Sequence, residues 1–154
     1  MELIYVRSVP GVDPEDALAR ALGYLQERGY GLTEVSHGGG KLCRGFGLAG
    51  LLAGRVDRLR SRLDIDALGV PGGTQLTVRY EIDTFGQLIT KTNRSFWDVE
   101  VDELCERAAG APSDPTHWQA YHAAARRDNV RFLLISLVIA VVSAALAVGL
   151  VLWS

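Results

Sequence analysis

The sequence predicts an α+β domain followed by a C-terminal transmembrane helix. The domain should be an antiparallel sheet in the element order β-α-β-β-β-β-α, with two helices on one face. Three observations carry this. Apolar and polar residues alternate with period two in several short runs, notably 63–67 and 76–82. Two other segments space their apolar residues at helical intervals. Finally, Phe132 to Trp153 reads FLLISLVIAVVSAALAVGLVLW, with neither a charge nor a proline. A helix of that length is about 33 Å long, enough to cross a hydrocarbon core of about 30 Å.

Leu3 to Val9 is a β-rich run closed by Pro10-Gly11. Asp13-Pro14-Glu15-Asp16 then reads as a helix start: Asp13 caps, Pro14 suits the first turn, and the two acids meet the positive end of the helix dipole. Leu18, Ala21, Leu22 and Leu25 form the apolar stripe of that helix, and Gly29 ends it as a C′ residue. Leu32 to Val35 is a strand, followed by a turn at Gly38-Gly39-Gly40 and a short run at Lys41 to Arg44. Leu63, Ile65 and Ala67 alternate with polar neighbours, as do Leu76, Val78, Tyr80 and Ile82. The glycine-rich turn of residues 69–74 makes these two a hairpin, with Arg62 facing Asp83 on the wet side. Leu88 to Thr90 extends that strand or starts another. A second helix opens at Ser95 with Trp97, Val101, Leu104 and Ala108 as its buried stripe, before Gly110 and Pro112.

This order of elements over residues 1–110 resembles the TATA-binding-protein-like or helix-grip topology, in which a curved sheet holds a long terminal helix. The resemblance lies in element order and carries no motif, so it implies a fold and no function.

The chain divides into a domain of residues 1–110, a linker and juxtamembrane helix of residues 111–131, and a transmembrane helix of residues 132–153. Arg126, Arg127 and Arg131 precede the apolar run, which places the domain in the cytoplasm, on a bacterial inner membrane. MELIYVRSVP lacks a basic n-region and an apolar h-region, so it is not a secretory signal. The expected protein is therefore single-pass and tail-anchored. Trp118, Tyr121, Arg126, Arg127, Arg131 and Trp153 are its candidate membrane-interface residues, as aromatic rings at headgroup depth and cations toward anionic lipid. The juxtamembrane helix either lies flat or stands as a stalk. Small residues at Ser136/Ala140, Ala140/Ala144, Ser143/Ala147 and Ala145/Gly149 permit self-association of the span.

Chemical motifs are thin. Residues 1–112 carry 13 Lys+Arg against 16 Asp+Glu, scattered, so no nucleic-acid footprint is present. Gly45-Phe46-Gly47-Leu48-Ala49-Gly50 matches GxGxxG, making Gly45, Gly47 and Gly50 candidates for a cofactor loop. The chain then turns back into a hairpin instead of continuing as βαβ, which favours a glycine-rich bend. Gly38-Gly39-Gly40-Lys41 is followed by Leu42 where a Walker loop needs Ser or Thr. Asp64, Asp66, Glu81 and Asp83 form a carboxylate face able to take a divalent cation or act as acid and base, but Arg60, Arg62 and Arg79 lie among them, which suits a solvated sheet face. His37 is the single histidine of the domain, with His117 and His122 in the membrane approach, and no catalytic motif accompanies it. Cys43 and Cys105 read as small buried apolar residues. The expectation is a non-enzymatic binding or scaffold module with no cofactor and no metal, whose partners are the lipid bilayer, a protein and a second copy through the span. The alternative is a nucleotide-dependent or metal-assisted enzyme using Gly45–Gly50 or the carboxylate face.

Overall fold

A computed structural model of the chain describes residues 1–45, 59–84 and 89–112, and in the C-terminal stretch residues 116, 118–125, 127, 128, 130, 131, 134–136, 138, 139 and 143. The chain divides into two compact units, Met1–Pro115 and Thr116–Ser154. The first is an α+β fold: β1 (Glu2–Pro10), α1 (Pro14–Glu27), β2 (Gly31–Ser36), β3 (Gly39–Arg44), β4 (Ser61–Val70), β5 (Gly73–Ile82) and α2 (Lys91–Ala108). The five strands form one antiparallel sheet in the order β1-β5-β4-β3-β2.

The register assigns every side chain to a face. Val9, Leu42, Leu63, Ile65, Leu76, Val78, Tyr80 and Ile82 share the inner face and are buried. Both helices lie on it. Helix α1 packs on β4 and β5, and α2 packs on α1 and β1. Asp13 caps α1 by accepting from the Glu15 amide at 3.0 Å, as its position before Pro14 predicts. Gly29 adopts φ +86°, and the Tyr30 amide donates to Leu25 O at 3.0 Å, so the helix end turns Tyr30 into the core. Trp97, Val101, Leu104 and Ala108 of α2 are fully buried, as their spacing requires; burial of a side chain of this kind stabilises by roughly 1.5–3 kcal/mol.

Several boundaries differ from the sequence reading. Helix α2 starts at Lys91 rather than Ser95, because the Thr90 hydroxyl accepts from the Asn93 amide at 3.1 Å and caps it earlier. Thr90 is thus a cap and not part of a strand, while residues 85–88 lie outside the described residues. The β2–β3 turn is His37-Gly38 alone, and Gly39 and Gly40 belong to β3. Their role is close approach: a Cβ on Gly39 would sit 2.6 Å from Asp66 Oδ1 and 2.9 Å from Ile65 O, and one on Gly40 would sit 3.0 Å from Leu22 Cδ2. Gly40 thereby lets α1 settle on the sheet.

No helix among the described residues is long and apolar enough to cross a membrane. The expected span 132–153 lies mostly outside the described residues; 134–136, 138, 139 and 143 are helical, and Leu134, Ile135, Val138 and Ile139 are all exposed.

Candidate functional site

The carboxylate face anticipated from the sequence is the outer face of the sheet. Asp64 stands between Lys41 and Arg79 in register, and Lys41 Nζ donates to Glu34 Oε2 at 2.7 Å, so signs alternate across four strands. Arg62 lies opposite Glu81, 3.7 Å away, and not opposite Asp83, which is two residues further along and bonds through its amide to Arg60 O. Arg79 approaches Glu2 at 3.7 Å. Asp66 faces Gly39 and Thr77. A depression of about 600 Å³ here is lined by Met1, Glu2, Lys41, Arg62, Asp64, Arg79 and Glu81. Among the described residues, no group of three His, Cys, Asp or Glu is arranged to hold a metal ion. Charges this balanced form a solvated ladder.

Other candidates are scattered. Gly45 has φ +91° at the end of β3, while Gly47 and Gly50 lie outside the described residues. His37 occupies the β2–β3 turn, beside a depression of about 560 Å³ whose lining includes Leu18, Leu22 and Ala67. Both cysteines are free thiols. Cys43 is exposed on the outer face instead of buried, since β3 presents odd residues outward. Cys105 is partly buried, and burial pushes its thiol up to about 11. Of the membrane-interface candidates, Trp118 and Tyr121 are helical and pack edge to face at 6.0 Å between ring centres, with Trp118 itself buried. Arg127 and Arg131 are helical and exposed; Arg126 and Trp153 lie outside the described residues.

The densest polar constellation is one the sequence reading missed. Glu100, on the buried face of α2, is 0% exposed. Its Oε1 accepts from Arg44 Nη1 at 2.7 Å, and its Oε2 accepts from the Tyr30 and Tyr80 hydroxyls at 2.8 and 3.0 Å. The Arg44 guanidinium lies 4.1 Å from the Tyr30 ring centre and 5.2 Å from that of Phe96, so aromatic rings cover its faces while Glu100 takes one edge. One turn along α2, Glu103 accepts from the Tyr24 hydroxyl of α1 at 2.8 Å. Two strands, the residue that precedes β2 and two helices thus converge on two acids.

Burial and the neighbouring Glu100 charge hold the Tyr30 and Tyr80 hydroxyls well above the ordinary phenol range. Burial opposes the Arg44 charge, but the attraction of Glu100 and the tyrosines outweighs it, so the guanidinium stays protonated. Among the described residues, Arg44 Nε and Nη2, Ser61 Oγ and Trp97 Nε1 are buried without a hydrogen-bond partner. The hydroxyl and guanidinium donors of the cluster are buried. The cluster ties α2 to the sheet. Pattern reading passes over it because Glu100 looks like an ordinary helix acid; its place in the Trp97, Val101, Leu104 stripe is the signal, one residue before Val101 and three after Trp97.

No family model matches the sequence, and no curated protein matches it. Among solved structures, the chain is similar to the solution NMR structure of the protein encoded by gene BPP1335 from Bordetella parapertussis. That match has 12% identity and a TM-score of 0.40, and it covers 82% of this chain and 83% of the other.

Proposed function

We propose that this chain is a small non-enzymatic binding or scaffold module, held on the cytoplasmic face of a membrane by its C-terminal apolar segment. One observation carries the reading. Val130, Leu134, Ile135, Val138 and Ile139 are helical yet 56–60% exposed, beside the exposed cations Arg127 and Arg131. Apolar residues left in the open on successive turns call for an apolar solvent, and the sequence continues without a charge to Trp153. The outer-face carboxylates, interleaved with Lys41, Arg62 and Arg79, favour binding over catalysis.

Membrane fractionation with an alkaline wash tests the anchor. The full chain is expected to stay with the membrane, and Ile135→Lys combined with Ile139→Lys to release it. Exposed Cys43 reports orientation: a membrane-impermeant maleimide should label it only after cells are opened. Labelling in intact spheroplasts would overturn the cytoplasmic placement.

A further inference from the structure

We propose that β1 is an interface, and that a second copy of this chain pairs with it antiparallel, joining two sheets into one. Strand β1 is an outer strand of the sheet, nine residues long, and pairs with β5 from Glu2 to Pro10 without a bulge. The Met1 amine donates to Ile82 O and the Ile82 amide to Met1 O, both at 2.8 Å, and the Gly11 amide donates to Gly72 O. Hydrogen-bonded pairs alternate along an antiparallel ladder, so the odd residues of β1 direct their backbone groups to β5. The even residues, Glu2, Ile4, Val6 and Ser8, direct theirs away from the sheet. All four have exposed side chains on the outer face, with Ile4 at 55% and Val6 at 49%.

This edge is complementary to itself. With a two-fold axis through Tyr5, Ile4 lies opposite Val6 of the second copy and Glu2 opposite Ser8, each pair occurring twice. The outward donors and acceptors then meet one another, giving about eight backbone hydrogen bonds. The registers on either side are worse. An axis at Ile4 sets Glu2 against Val6, and an axis at Val6 sets Glu2 against Pro10, which has no amide hydrogen. On the inner side of the same register Arg7, bonded at 3.3 Å to Asp102 on its own α2, lies opposite Leu3 of the second copy, and the two Tyr5 residues, each donating to its own Asp98 at 2.9 Å, face one another across the axis. In the single chain Arg7 Nη1 also donates to Val6 O at 3.4 Å, a long bond that the Ile4 amide of the second copy would replace. At the opposite edge, β2 carries a register shift between Leu32 and Glu34, a device that discourages such pairing.

The test uses the full chain in mild detergent, by analytical ultracentrifugation and amide hydrogen exchange. The wild type is expected to sediment as a dimer, with the Ile4 and Val6 amides exchanging about tenfold or more slowly than in Val6→Lys. Val6→Lys, which adds a charge at an exposed position, should sediment as a monomer that keeps its circular dichroism spectrum and a cooperative melt, lowered only by the loss of dimer stabilisation; Ile4→Lys should do the same. A monomeric wild type would overturn the proposal. So would a dimer that survives Val6→Lys with the Ile4 amide unprotected, because the contact would then lie elsewhere, as in the apolar C-terminal segment.

Discussion

The two faces of the sheet carry the same kinds of charged pair in opposite surroundings. On the inner face Arg44 and Glu100 are 2.7 Å apart with side chains 8% and 0% exposed. On the outer face Arg62 and Glu81 are 3.7 Å apart with side chains 67% and 71% exposed. Water screens the outer pair and would solvate either partner alone, so its net worth is small. The inner pair has lost its water, and each charge depends on the other. The contrast teaches that the count of ion pairs says little about stability here; what matters is what each charge would face if its partner left.

Glu100→Ala should break the contrast most severely. It leaves Arg44 charged and buried with two tyrosine hydroxyls unpaired, and should destabilise by about 3–5 kcal/mol in urea denaturation, a large share of the roughly 5–15 kcal/mol typical of a domain. High pH attacks the same cluster. Tyr30 and Tyr80 bind their protons more tightly folded than unfolded, so their contribution is fully present below pH 10, their ordinary value, and is lost as pH rises from there toward their folded values. Stability should fall steeply above pH 10, and phenolate absorbance from the buried tyrosines should emerge only with unfolding. Replacing both partners sharpens the comparison. Arg44→Met with Glu100→Leu should recover most of the loss of Glu100→Ala and melt above it, because no buried charge is stranded. Arg62→Ala should shift stability by no more than about 0.5 kcal/mol, and 1 M salt should erase the shift.

Much of the domain was legible in the sequence because its elements obey local rules. Asp13-Pro14 and Gly29 bracket α1, period-two alternation gives β4 and β5, and the Trp97–Ala108 stripe gives the buried side of α2. The misses share one cause. Thr90 as a cap, Gly39 and Gly40 as strand glycines, and Arg62 opposite Glu81 all depend on what lies across a register or against another element. The site was least legible of all. Glu100 gains its meaning from Tyr30, Arg44 and Tyr80, none near it in the chain, and each of these alone looks like an ordinary strand or loop residue.

Those separations bear on how the chain is made. Glu100 reaches back 56 residues to Arg44 and 70 to Tyr30. A ribosome delivers the strands before it delivers α2, so Arg44 can meet its counter-charge only after residue 100 has been made. A chain truncated before α2 would lack Glu100 together with the buried Trp97, Val101 and Leu104, and burying Arg44 in it would strand a charge.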